Sequence, residues 1–360
     1  MKIVERFEVP YYQYLNEHYQ LSDDAPLLAE DKAQLITLYR AMVFARMADA
    51  KAIALQRTGQ LGTYPSTRGQ EAVFVGVGHA MAKEDVFVPY YRDMATLIAR
   101  GVPLSKILLY WGGDERGNIF ECNKQDFPFS VPVGSQPLHA AGVAFAAKYK
   151  KEDHAVVTLC GDGATSEGDF YEAMNVAGVW RLPVVFVVCN NQWAISVSRS
   201  QQTAATTLAQ KAIAAGFSGE QVDGNDMIAV FHRMQVALSA ARTKHQPHLI
   251  EMICYRQHDH TTADDASRYE PKTSREEAWQ HEPINRLRQH LIARQYWSET
   301  EDKQLEATCA KEVDRAVTDY QATPPQAAED LFNYLYADLP TCYYGQRDSL
   351  KAEVLRASSP

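Results

Sequence analysis

Two short apolar runs, joined by residues 161–183, constrain this 360-residue chain more than any other stretch. Residues 154–160, HAVVTLC, form a β-branched run too short for a helix and stopped by Gly161. Such a run reads as a buried strand. Residues 184–189, VVFVVC, form a second one, opened by Pro183. Between them Phe170, Met174, Ala177 and Gly178 recur at helical spacing, and Ser166 is placed to cap that helix. The pattern predicts a strand–turn–helix–strand unit with a right-handed parallel crossover. That geometry puts Asp162 and Asn191 at the carboxyl ends of two strands, where open α/β sheets bind ligands.

The chemistry of those two positions is specific. Asp162 offers a hard anionic oxygen and Asn191 a neutral carbonyl oxygen. Both suit magnesium, which leaves its remaining sites to water and phosphate oxygens. Gly161 and Gly163 let backbone N–H groups approach a phosphate, and a helix start follows nearby. A metal-bridged diphosphate is the ligand these groups predict. Gly-Asp-Gly alone is more simply a tight turn and Asn-Asn a polar loop. A strand before each and a helix pattern between them weigh against that simpler reading.

The stretch resembles the thiamine diphosphate motif of the 2-oxo acid dehydrogenase family. Within the family it is most like the α chains of the two-chain decarboxylating component of pyruvate and branched-chain 2-oxo acid dehydrogenase complexes. The likeness runs from about Tyr39 to about Tyr269. It implies that Asp162, Asn191 and the backbone carbonyl of Trp193 bind Mg2+. It sets Tyr91 and Arg92, at the end of a predicted strand over 86–91, near the cofactor diphosphate together with Gly163 and Ala164. It sets Val131 and Val133 against the aminopyrimidine ring. His260, in the polar segment 255–269, becomes the histidine beside the diphosphate and the reacting centre, with roles in phosphate contact and proton transfer. Thr261 replaces the commoner serine there. Glu270 stands where many relatives have arginine, which weighs against phosphate-linked regulation of this loop. Ser130, Pro132, Ser135 and Gln136 resemble a monovalent-cation site, or are ordinary helix caps. Gln70, in Gly-Gln-Glu-Ala, lies near the substrate in the family; it reads equally as a helix-start residue bonding backbone.

The rest of the chain predicts a doubly wound parallel α/β sheet with helices on both faces. Residues 1–30 read as an extended arm, packed on a partner or on its own domain. Residues 31–270 form the cofactor-binding domain, with helices over 31–56, 70–81, 138–149, 208–215 and 227–244, a loop over 112–128, a turn at 222–224 and a strand over 248–255. Residues 271–360 are charged and helical, over 275–294, 299–320 and 328–335, with a capping box at Ser298–Glu301. A net charge of −9 with no basic run argues against nucleic acid or membrane surfaces. The N-terminus carries no apolar signal core, and no uncharged run is long enough to span a bilayer. Six cysteines without paired spacing predict buried reduced thiols in a cytoplasmic protein.

The resemblance implies oxidative decarboxylation of a small 2-oxo acid, pyruvate first and branched-chain acids next. The acyl group would pass to a lipoyl group on an acyltransferase partner. Only one α/β unit of the required kind is present. The family carries the glutamate that activates the aminopyrimidine on a separate β chain, so an α2β2 heterotetramer is expected. Two further readings are a transketolase-like or simple decarboxylase enzyme, and a non-catalytic metal- or nucleotide-binding regulatory subunit. No nucleotide fingerprint supports the last.

Overall fold

The computed structural model describes residues 1–357. Its strands are β1 (Tyr11–Tyr12), β2 (Val86–Val88), β3 (Val156–Gly161), β4 (Val184–Asn190), β5 (Trp193–Ala194), β6 (Val197–Ser198), β7 (Gly219–Asp223) and β8 (His248–Ile253). Six of them form one sheet in the order β1-β7-β8-β4-β3-β2, every pair parallel. β5 and β6 make a small antiparallel hairpin of their own. Around the sheet run α1 (Lys32–Arg57), α2 (Glu71–Ala80), α3 (Met94–Ala99), α4 (Leu104–Trp111), α5 (Ser135–Lys150), α6 (Gly168–Trp180), α7 (Arg199–Gln202), α8 (Lys211–Ala214) and α9 (Met227–Lys244). Then follow α10 (Lys272–Gln280), α11 (Pro283–Ala293) and α12 (Glu299–Gln321).

β3 and β4 are apolar along their whole length because both faces of the sheet are covered. Val156, Cys160, Val184, Phe186 and Val188 meet α5 and α6, which approach closely through Ala140, Ala144, Ala173 and Ala177. α9 packs against β4, β7 and β8, with α2 against α9. That crossing is tight: a Cβ on Gly76 would lie 2.5 Å from Val230 Cγ1. Truncating a fully buried ring such as Phe186 to alanine costs about 3–5 kcal/mol.

Several elements differ from the sequence expectations. α6 begins at Gly168, not after Ser166, because 162–166 first wind a 3-10 turn in which Thr165 Oγ1 donates to the Asp162 carbonyl at 2.8 Å. β2 ends at Val88, so Tyr91 and Arg92 lie in the turn before α3 rather than on a strand. The turn expected at 222–224 is the end of strand β7. The helix expected over 275–294 is two helices, split where Glu282 caps Pro283 and its successors through Ile284 N and Asn285 N.

The N-terminal segment packs on its own unit. β1 extends the sheet beside β7, and buried Asp226 accepts four backbone N–H bonds. Two come from Tyr14 and Leu15 at 2.6 and 2.8 Å, and two from Ile228 and Ala229 at the start of α9. The chain divides into two compact units at Ala316 and Val317. The second contains α13 (Asp330–Asn333) and α14 (Tyr344–Ala357), with Lys351 paired to Glu329 at 3.2 Å and Tyr336 stacked on Tyr343. Among the described residues no helix is long and apolar enough to cross a membrane.

Candidate active site

β3 and β4 are adjacent and parallel, with Gly161 opposite Cys189. Asp162 and Asn191 each follow the last residue of one strand, so the two side chains emerge side by side from the sheet's carboxyl edge. They open into a cavity of about 580 Å³. Every residue the resemblance assigns to the metal and the cofactor lines it: Tyr91, Arg92, Val131, Val133, Asp162, Gly163, Ala164, Asn191, Trp193 and His260; Gln136 and Thr261 line it too, whereas Gln70, Ser130, Pro132, Ser135 and Glu270 do not.

Asp162 is 1 % exposed, and its Oδ2 has no donor. Burial pushes its carboxyl up to about 6, against the pull of nearby backbone N–H groups and the charges of Arg256 and Arg199. An ionised oxygen buried with nothing to face is what a cation would satisfy. Asn191 is also buried, and Trp193 N–H donates to its Oδ1 at 3.2 Å. The β5–β6 hairpin that follows makes a tight reversal, with Gln192 and Ile195 at φ of 72° and 54°. Such left-handed backbone is strained for a β-branched side chain and is held here by Arg256, which donates to Ile195 O at 3.0 Å.

Gly163 supplies the close approach. A Cβ there would lie 2.9 Å from Ala194 Cβ, so only glycine lets the turn reach the hairpin. No group of three His, Cys, Asp or Glu side chains converges on a common point among the described residues. One carboxylate with amide and backbone oxygens is instead the set that magnesium takes when phosphates complete its shell. The residues present fit a magnesium-bridged diphosphate.

Arg92 and His260 line the same cavity, with Arg256 beside them. Arg92, 2 % exposed, donates to Ser66 O at 2.5 Å, to His260 O at 3.1 Å, and approaches His260 Nδ1 at 3.2 Å. Arg256 approaches the same Nδ1 at 3.5 Å. Both partners are donors, so Nδ1 must accept and the imidazole proton resides on Nε2. Burial, then the charges of Arg92 and Arg256, hold the His260 imidazolium down to about 3, so the ring is neutral at pH 7. Asp264 fixes the loop by accepting from His260 N at 2.9 Å and from Tyr269 OH.

Glu270 closes this loop at its base. Tyr255 OH donates to Glu270 Oε1 at 2.7 Å, Arg275 to Oε2 at 2.6 Å, and Trp193 Nε1 to Tyr255 OH at 3.0 Å. Residues 130–136 also close on themselves. Gln136 Nε2 donates to Ser130 O and Pro132 O, and Ser135 Oγ to Pro132 O, so those carbonyls have protein partners.

Thr63 and Pro65, from the run before Gly-Gln-Glu-Ala that most resembles pyruvate dehydrogenase α chains, line the cavity too; sequence reasoning passed over Trp111, also in the lining, and Gln202, whose Nε2 donates to Asp162 O at 3.1 Å. Nothing local around Trp111 or Gln202 points to the site. Gln70 stands at the N-cap of α2, one residue before the helix, yet its side chain makes no cap bond and accepts from Asn191 Nδ2 at 2.9 Å.

The profile of the dehydrogenase E1 component family matches residues 39–329. The chain belongs to this family. It is similar to the 3-methyl-2-oxobutanoate dehydrogenase subunit alpha of Mycobacterium tuberculosis, 41 % identical over 89 % of this chain and 87 % of that protein. It is similar too to pyruvate dehydrogenase E1 component subunit alpha of Mycoplasma genitalium, 36 % identical over 94 % of this chain and 95 % of that protein. The protein of that name from Bacillus subtilis is 39 % identical, over 91 % and 89 %. These relatives bear out the assignment to the α chains of 2-oxo acid dehydrogenases, and the non-catalytic alternative falls.

Proposed function

We propose that this E1 chain is the α subunit of a pyruvate-decarboxylating 2-oxo acid dehydrogenase that uses thiamine diphosphate and Mg2+. The observation that carries the reading is the buried, donor-free Oδ2 of Asp162 beside Asn191, in one cavity that Arg92 and His260 also line. Thiamine diphosphate supplies, when bound, the nucleophilic carbon and the electron sink for decarboxylation. The chain's own residues bind and orient. Asp162, Asn191 and the Trp193 carbonyl hold the metal. Tyr91, Arg92 and the backbone of Gly163 and Ala164 hold the diphosphate, where the planar guanidinium gives two-pronged contact. Val131 and Val133, both half exposed into the cavity, take the aminopyrimidine. His260, neutral with its proton on Nε2, contacts phosphate and moves a proton during acyl transfer.

The one large sheet supports an α2β2 assembly in which a β chain completes each site, and the relatives' naming as alpha subunits agrees with this. We assign the lipoyl group of an acyltransferase as the acyl acceptor. Of the six free cysteines Cys160, Cys189, Cys254 and Cys309 are buried, whereas Cys122 and Cys342, expected to be buried, are exposed; free thiols fit a cytoplasmic, reducing location.

The Mycobacterium tuberculosis relative supports a second substrate, the branched-chain acid 3-methyl-2-oxobutanoate. Each added methyl group in an apolar pocket changes specificity by only about 1–3 kcal/mol. The test is the ratio of kcat/KM for pyruvate over 3-methyl-2-oxobutanoate with the native β chain. A ratio above one is expected. A ratio well below one overturns pyruvate and leaves the metal site standing.

A further inference from the structure

We propose that Gln70 is a positioning residue for the metal site: its Oε1 holds the Asn191 amide with the oxygen turned outward as a ligand. An asparagine side chain has two nearly isosteric ends, and only the oxygen end can ligate a cation. Something behind it must distinguish them. Gln70 Oε1 does so by accepting from Asn191 Nδ2 at 2.9 Å. On the other end, Trp193 N–H donates to Oδ1 at 3.2 Å and leaves its second lone pair free. Turning the Gln70 amide over would set two NH2 groups against each other, so the orientation follows from the network.

Three further observations single Gln70 out. It is fully buried at the N-cap of α2, one residue before the helix, yet its side chain caps no backbone N–H. Its Oε1 also accepts from Cys189 Sγ at 3.3 Å, so two donors converge on one oxygen from the end of β4. Its Nε2 is buried with no acceptor, a cost that packing alone leaves unexplained, since methionine would fill the same place without it. The neighbouring Asn190 shows the contrast. It turns into the sheet and donates to Glu251 at 2.7 Å, so the two asparagines divide into one structural and one outward-facing residue.

This inference rests on the magnesium reading of Asp162 and Asn191. The test is titration calorimetry of Mg2+ into the α–β complex at a fixed excess of thiamine diphosphate. Gln70→Met removes the acceptor at near-constant volume; Gln70→Glu keeps an acceptor oxygen. Removing an outer partner of a metal ligand weakens metal binding by about 10–100-fold. Gln70→Met is therefore expected to raise the Mg2+ Kd by about that factor, to leave the melting temperature of the metal-free complex unchanged, and to regain turnover at high Mg2+. Gln70→Glu should stay near wild type. A Gln70→Met complex with wild-type Mg2+ affinity overturns the proposal, as does an equal loss in both variants. Should Gln70→Met fail to assemble, Gln70→Asn withdraws the oxygen by one methylene and carries the same expectation. Asp162→Ala is run alongside. If it binds Mg2+ normally, the metal reading itself fails; if it loses Mg2+ while Gln70→Met does not, only the role of Gln70 fails.

Discussion

Replacing Asp162 by asparagine is expected to stabilise the metal-free protein while abolishing its metal site. The carboxyl is buried, one of its oxygens faces no donor, and it titrates near 6 against an ordinary value of 3.8. Each tenfold in proton affinity is about 1.4 kcal/mol, so the ionised form is disfavoured in the folded chain by about 3 kcal/mol. The folded value lies above the unfolded one. The penalty is therefore absent below pH 3.8, grows between 3.8 and 6, and is constant above 6. Asparagine removes the charge but leaves an amide short of partners, returning about 1–2 kcal/mol of that gain. The net expectation is a stabilisation of about 1–2 kcal/mol at pH 7.5 in chelator, a rise in Tm of about 2–4 °C. Saturating Mg2+ and thiamine diphosphate reverse the order, because at 100 times Kd a ligand adds about 2.7 kcal/mol to the wild type alone. The assay is thermal unfolding of the reconstituted complex at pH 7.5 and pH 4.5, with and without ligands. An Asp162→Asn complex that melts below wild type in chelator at pH 7.5 would refute the reasoning, and so would a gain that does not shrink toward pH 4.5.

Arg92→Lys loses the simultaneous bonds to Ser66 O and His260 O, and thiamine diphosphate affinity should fall at least about tenfold, read by calorimetry. His260→Ala should weaken cofactor binding by about tenfold through the lost phosphate contact and lower acyl transfer by about 10²–10⁴, measured against reduction of an artificial electron acceptor; in the cofactor-free complex the His260 ring should stay neutral down to pH 5 by NMR titration. Asp226→Ala strips four N–H groups of their acceptor and should cost about 3 kcal/mol, with the first twenty residues becoming open to limited proteolysis. Glu270→Arg breaks the ties to Tyr255 and Arg275, and tryptic cleavage within 256–268 should accelerate.

Where the sequence was legible, the physics was local. β3 and β4 are continuous apolar runs because both of their faces are buried, and the residues after them carry donor atoms that only a ligand site uses. α1 starts at Lys32 because Asp31 caps it through Gln34 N, a signal written in neighbouring residues. The split between α10 and α11 was also written there, in Glu282-Pro283, but the helical periodicity on either side ran across it. β7 was illegible for a different reason. Its sequence, Gly-Glu-Gln-Val-Asp, has one apolar residue; Glu220 is held by Arg233 and Gln221 by Glu251, so its strand identity comes from distant partners. β1 is two residues long and exists only because β7 offers an edge.

The same division runs through the site. Asp162, Asn191 and Trp193 lie within short motifs. His260 and Arg92 come from loops 168 positions apart that meet only in the fold. The Gln70–Asn191 bond spans 121 positions. Helix spacing could place Gln70 at the head of α2, but it could not say which way its amide would turn.

We propose that Asp162 anchors a magnesium-bound diphosphate at the carboxyl edge of this sheet. Calorimetric titration of thiamine diphosphate into the α–β complex, with Mg2+ and with chelator, on wild type and Asp162→Ala, tests it most directly. Tight binding by the wild type with Mg2+ alone, and none by Asp162→Ala in either condition, is the predicted result. Equal affinity for the cofactor in the two proteins, or binding indifferent to Mg2+, would contradict it.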